Sequence, residues 1–315
     1  MSDNVINIQS NIRSIPEKVD YLLVCASFED RCLSIIDQVR NVEVKKTGVF
    51  YCKQFQQSSF SNIAKLTHQL KFAKGLEFDG DSPTTIADCL LDLFSDADSL
   101  YVNKPCTVLV DISTFTREAL LIVVRFLQLN KNIFDNVYVY YRTAEVSNNL
   151  SQGVSSIRSV IGYMGDVQLG VPTHLVILSG FEFDRAKEII DSVEPDYISI
   201  GYGTREGSIN DSLYQRNKMF ANELAAYYSG NNVSVFCHSL VDISEAKSSL
   251  VDVIASKDGH NVVLAPLNTK LSTVAAGLAA IENPVCQIIY AQMESYNTEY
   301  YSETKPSFVV NKIDF

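Results

Sequence analysis

The sequence predicts an α/β protein, and three observations carry that prediction. Short apolar, β-branched runs recur at Tyr21–Ala26, Val108–Ile112, Val137–Tyr141, Leu175–Leu178, Tyr197–Ile200, Val233–Phe236, Val262–Ala265 and Gln287–Tyr290. Segments of helical period follow them; Cys32, Ile35, Ile36 and Val39, at i, i+3, i+4 and i+7, make one such buried face. The runs are continuously apolar rather than alternating, as strands covered on both faces of a parallel sheet must be.

A length of 315 residues predicts two domains, each able to bury its own core. The second half repeats the first in order, with a shift of about 150 residues, the length of one domain. Tyr21–Val39 matches His174–Val193, and after one inserted residue Arg31 falls on Arg185. The helical stripe from Cys32 to Val39 is then matched by Ala186, Ile189, Ile190 and Val193. Gly48–Tyr51 corresponds to Tyr197–Gly201, and Thr107–Glu118 to Asn261–Lys270, with Arg117 near Lys270. The last strands align without a gap from Tyr141/Tyr290 through Glu145/Glu294 to Asn148/Asn297. Two tandem, mutually homologous lobes with parallel sheets of four or five strands are expected. Right-handed crossovers make a Rossmann-like or flavodoxin-like arrangement the default topology. The lobes are placed at residues 1–170 and 171–315. Residues 151–173, interrupted by Gly153, Gly162, Gly165, Gly170 and Pro172, read as a surface connector.

Hydrophobic residues make up 46% of the chain and charged residues 20%, which excludes disordered and low-complexity classes. Lys and Arg number 26 against 37 Asp and Glu, a net charge of −11. The resulting field repels phosphate backbones, so general nucleic-acid binding is not expected. Seven cysteines lie in or beside apolar runs without C-x-x-C or Cys/His spacing; they read as reduced core thiols, with no metal site. The amino-terminal segment has no basic region followed by an apolar one, and no run reaches the roughly 18 apolar residues of a membrane span. A cytoplasmic location with no membrane partner is the expectation.

In parallel sheets ligands bind beyond the carboxyl ends of the strands, and the repeat is best preserved there. Phe28-Glu29-Asp30-Arg31 and Phe181-Glu182-Phe183-Asp184-Arg185 follow the first strand of each half. Asp30 and Asp184 are placed as helix N-caps. Arg31 and Arg185, in a first helical turn, oppose the helix dipole. They either pair with Glu29 and Glu182 or face an anionic ligand. Asp111, Ser113, Thr114, Thr116 and Arg117 follow the most apolar strand; hydroxyls and a cation at a helix start suit a phosphate or a ribose, or cap the helix. Thr269 and Lys270 are their counterparts, with Ala265 in the place of the acid. Gly201–Ser208 is the Gly-rich loop, presenting Arg205 to an anion or forming a plain turn; its spacing misses both G-x-G-x-x-G and the P-loop. Of four histidines, only His238 falls just past a strand. Tyr296–Tyr301 offers rings for stacking on a base or for packing within a sheet.

At the level of architecture, the duplicated Rossmann-like plan with polar strand ends resembles ligand-sensing proteins of bacterial conflict and antiviral systems, and also two-domain glycosyltransferases. The resemblance implies a nucleotide-like or phosphorylated ligand and a defence role. It does not by itself assign function. Three functions remain open. The first is a cytosolic sensor or regulator that holds such a ligand in a cleft between the lobes, using Arg31, Arg117, Arg185 and Lys270, with no further cofactor. The second is a transferase or glycosidase using Glu29, Asp111 or Glu182 in the same cleft. The third is an interaction scaffold for protein partners.

Overall fold

In the computed structural model, the described residues are 14–95, 97, 105–147, 150–230, 232–299 and 301–315. The chain is α/β, with two six-stranded sheets. In the first lobe, strands β1 (Lys18–Ala26), β2 (Glu43–Cys52), β3 (Ala73–Phe78), β4 (Thr107–Asp111) and β5 (Asn136–Val146) are parallel. In the second, β7 (Thr173–Leu178), β8 (Tyr197–Gly203), β9 (Asn232–His238), β10 (Asn261–Pro266) and β11 (Cys286–Tyr296) are parallel. Each sheet gains an antiparallel edge strand, β12 (Ser302–Ile313) against β5 and β6 (Ser151–Met164) against β11.

Read from the far edge, the orders are β3-β2-β1-β4-β5-β12 and β9-β8-β7-β10-β11-β6. The first strand is third from that edge, as in the Rossmann arrangement rather than the flavodoxin one. The registers also match. The row Lys46, Tyr21, Val108, Val137 in the first sheet is reproduced by Tyr197, His174, Val262, Cys286 in the second. The sequence pairing of Tyr141 with Tyr290 therefore holds. That of Gly48 with Tyr197 slips by two residues, since the row puts Gly48 on Ser199; a slip of two keeps every side chain on its face.

The expected connector is a strand. Among the described residues, 150–297 form one compact unit, and 14–147 together with 298–315 form the other. The second lobe is thus inserted into the first, and the division is not a single boundary near residue 170. In chain order β6 follows β5 and β12 follows β11, yet β6 pairs with β11 and β12 with β5. Both edge strands escape sequence detection because edge strands are half-exposed and tolerate breakers. β12 carries Pro306 at a register shift between Thr304 and Phe308, and β6 carries Gly153 at φ +65°. β3, with sequence AKGLEF, is missed for the same reason: only Leu76 and Phe78 are buried.

Among the described residues, the first lobe has helices α1 (Ser34–Gln38), α2 (Gln56–Gln69), α3 (Thr84–Leu93) and α4 (Arg117–Leu129). α5 (Phe183–Val193), α6 (Asp211–Tyr227), α7 (Ile243–Ala255) and α8 (Lys270–Glu282) belong to the second. A 3₁₀ turn, Asp30–Leu33, precedes α1. The two cores form separately, around Leu22, Val24, Leu109 and Val310 in one lobe and Ile177, Ile189, Ile200 and Val263 in the other. Among the described residues, no helix is long and apolar enough to cross a membrane. Six cysteines are buried as expected; Cys237, on the edge strand β9, is exposed.

Candidate functional site

Each lobe carries the same polar kernel at the carboxyl end of its first strand. In the first, Arg31 Nη2 donates to Glu29 Oε1 at 3.1 Å, and Arg31 Nε lies 3.0 Å from Glu29 Oε2; both side chains are 7% exposed. In the second, Arg185 Nη1 donates to Glu182 Oε2 at 3.1 Å, Nη2 donates to the Ala291 carbonyl, and the guanidinium lies 5.6 Å from the Tyr290 ring centroid. A serine from the edge strand completes each kernel: Ser302 donates to Glu29, and Ser151 donates to Glu182. Burial, the largest single influence, would lower the Arg31 pKa; Glu29, Tyr141 and Tyr301 together outweigh it and leave the guanidinium raised. Arg31 and Arg185 thus take the ion-pair alternative, because the turn that carries them packs down onto the sheet. Asp30 and Asp184 lie inside the first turn; the N-cap positions are Glu29 and Glu182, without side-chain cap bonds. A buried asparagine stitches each turn from behind, Asn62 donating to the Ser27 carbonyl and Asn217 to those of Ser179 and Gly180.

The Asp111–Arg117 segment is held by its own hydrogen bonds. Asp111 is 1% exposed; Oδ1 accepts from Ser113 N at 3.0 Å, and Oδ2 has no hydrogen-bond partner. Burial pushes its carboxyl up to about 7, against the opposing pull of Ser113 and Arg31. Ser113 Oγ accepts from Arg142 N, Thr114 Oγ1 donates to the Cys25 carbonyl, and Thr116 caps α4 by accepting from Ala119 N. These hydroxyls hold strand ends together rather than presenting a phosphate cradle. Arg117 is the first residue of α4.

The second-lobe counterparts are simpler. Thr269 caps α8 by accepting from Ser272 N, and the half-buried Lys270 opens that helix. The glycines of the Gly201 loop serve packing. Gly201 and Gly203 belong to β8, and a Cβ at Gly203 would stand 2.3 Å from Leu240 Cδ1. Arg205 is paired with Asp211 at 2.8 Å, both well exposed. His238 is buried against the Ser239 carbonyl, and burial lowers its pKa to about 4. Among the described residues, no cluster of His, Cys, Asp or Glu could hold a metal.

The structure does open a pocket of about 700 Å³ at the carboxyl end of β7, within the size range of small-molecule sites. Its walls are the start of β6 from Leu150 to Val154, the β7–α5 turn, Phe220 of α6 and Met293 of β11. The Glu182–Arg185 pair lines it, and Asp184 and Glu188 add rim carboxylates. Phe220 meets Phe181 and Phe183 at centroid distances of 6.2 and 6.5 Å. Arg216 stacks 4.6 Å from the Phe181 centroid and 5.7 Å from that of Phe220. Of the expected residues, then, Glu182 and Arg185 come together in a pocket. Arg216 and Phe220 were missed, although their i, i+4 spacing on one helix face is a readable signal. Ser151 was missed as well; it stands three residues past Asn148, whereas Ser302 stands five past Asn297, so the aligned strands do not carry the match.

Fold and site together define a protein of two Rossmann-like α/β lobes with a ligand-sized pocket at a strand end. No protein-family model and no curated protein matches the chain.

Proposed function

We propose that the protein is a cytosolic ligand-binding sensor or regulator, of the kind found in bacterial defence systems, whose ligand is a nucleotide or another phosphorylated small molecule. The observation that supports this most is the pocket beside β7. It offers phenylalanine rings for an apolar moiety and carboxylate oxygens for hydroxyl donors, and two of those rings, Phe181 and Phe220, carry the stacked guanidinium of Arg216 for a phosphate. The cation is Arg216 rather than Arg31 or Arg185, whose charges Glu29 and Glu182 already neutralise. Binding is favoured over turnover because Glu182, the carboxylate inside the pocket, is engaged by both Arg185 and Ser151. Native mass spectrometry of the purified chain, followed by calorimetric titration with a nucleotide panel, tests the reading. Arg216→Ala should weaken a phosphorylated ligand by about ten- to a hundredfold, the worth of a charge-assisted contact. An unchanged affinity would remove Arg216 from the site.

A second reading, docking of a protein partner, draws on Met164, Val167 and Leu169, at 65%, 56% and 99% exposure at and beyond the end of edge strand β6. Replacing all three with serine and measuring solution mass and pull-down against the native chain tests it.

A further inference from the structure

The two kernels differ in what covers them. In the first lobe Phe28 immediately precedes Glu29, and its ring is met edge-on by Phe55 at 5.5 Å and by Tyr301 at 5.7 Å between centroids. Tyr301 is the residue before Ser302, whose hydroxyl donates to Glu29. In the second lobe Phe181 precedes Glu182, Ser151 donates to Glu182, and the residue before Ser151 is Leu150, which lines the pocket. The backbone agrees. Tyr301 O accepts from Ser147 N, just past β5, and Leu150 O accepts from Asn297 N, just past β11. A tyrosine ring in one lobe thus corresponds to an aliphatic side chain in the other, and the pocket opens at that place.

Resting on the ligand-binding reading above, we propose that the second-lobe pocket takes a planar aromatic ring, the base of a nucleotide, where the first lobe places the ring of Tyr301. An edge-on contact with Phe181 reproduces the Phe28–Tyr301 pair. Glu182, held by Ser151 and Arg185, lines the same pocket as Phe181 and Leu150. Asp184 and Glu188 at the rim repel a phosphate, which leaves on the side of Arg216. The ligand class is accordingly a nucleotide. The first lobe serves as an internal image of the filled state.

The experiment is calorimetric titration of the full chain with AMP, CMP, ribose 5-phosphate and inorganic phosphate. AMP or CMP should bind at least tenfold more tightly than ribose 5-phosphate. Leu150→Tyr, which supplies the ring used by the first lobe, should abolish nucleotide binding with no fall in melting temperature. Phe181→Leu, which keeps bulk and removes the ring, should weaken the nucleotide at least fivefold and leave ribose 5-phosphate unchanged, so the test stands even where Leu150→Tyr does not fold. Ribose 5-phosphate binding as tightly as the nucleotides, indifferent to both substitutions, would overturn the aromatic subsite and keep the phosphorylated-ligand reading. Binding of none of the four overturns both.

Discussion

The two lobes share a strand order, a register and a buried Glu–Arg–Ser kernel, yet their surroundings diverge at several neighbouring positions. Around the first kernel stand Asp111, Cys32 and Tyr140, with Ser34 within 3.2 Å of the Tyr140 hydroxyl. The corresponding residues of the second lobe are Ala265, Ala186 and Ile289, all buried. At these three positions the first lobe is polar and its kernel covered; the second is apolar there and has a pocket. What stays the same is what the fold needs to tie strand to turn. What differs is where a function can be hosted. An ion pair present in both lobes, including the one whose kernel is covered by Phe28 and Tyr301, acts as a structural tie first.

The largest expected effect concerns the lobes themselves. A fragment of residues 148–297 holds every strand of its sheet and should unfold cooperatively on its own. Residues 1–170 lack β12 and carry β6 without its partner β11, so this fragment should aggregate through unpaired edges. Circular dichroism and sedimentation of the two fragments check this. A stable, monomeric 1–170 fragment would mean that β12 is dispensable to the first lobe.

Next come the kernels. Removing one partner of a buried pair leaves an uncompensated charge and costs about 3–5 kcal/mol. Arg31→Ala and Arg185→Ala should each destabilise their own lobe by that order, read by calorimetric unfolding. Unequal losses would break the symmetry between the kernels. A small loss for Arg185→Ala combined with weakened ligand would turn the tie of the second lobe into a binding residue.

Asp111 gives the first lobe a pH dependence that the second, with Ala265, lacks. Its folded pKa of about 7 lies above the ordinary value of 3.8, so the folded state holds a proton that the unfolded chain releases. Stability from this group therefore falls as pH rises from about 4 to about 7 and is level above that, by on the order of 2–4 kcal/mol. Asp111→Asn should flatten the profile, raising stability at pH 7 relative to the native chain. Denaturant unfolding across that window decides it; an unchanged slope after the substitution would mean that Asp111 is ionised in the folded protein.

The smallest effects belong to the helix caps. Thr116→Ala and Thr269→Ala should each cost about 1 kcal/mol, equally in both lobes and without effect on ligand. A loss of ligand affinity in Thr116→Ala at near-native stability would return the strand-end loop of the first lobe to consideration as a site.

Much of the fold was legible because its signals are local. Continuous apolar runs such as Val108–Ile112 mark central parallel strands, and the stripe of Cys32, Ile35 and Val39 is indeed the buried face of the turn that follows β1. The recurrence of Glu-x-Arg and Glu-x-x-Arg after the first strands located the kernels. It did not reveal their role, because the same spacing suits an ion pair and an exposed anion site. Burial decides between them, and burial depends on how the turn packs against β5 or β11.

The amino-acid sequence by itself determined the α/β class, the number of lobes, the central parallel strands and the positions of Glu29, Arg31, Glu182 and Arg185 at strand ends, since each is written in residue periodicity or in the repeat. Only the tertiary structure decided that β6 joins the second sheet and β12 the first, that Asp111 is sealed away from solvent, and that Leu150, Phe181 and Phe220 line an opening with Arg216 stacked against the two rings. Each of these depends on contacts between residues far apart in the chain: an edge strand pairs through backbone groups that every residue carries, and a pocket is space left by side chains whose neighbours the chain order does not specify.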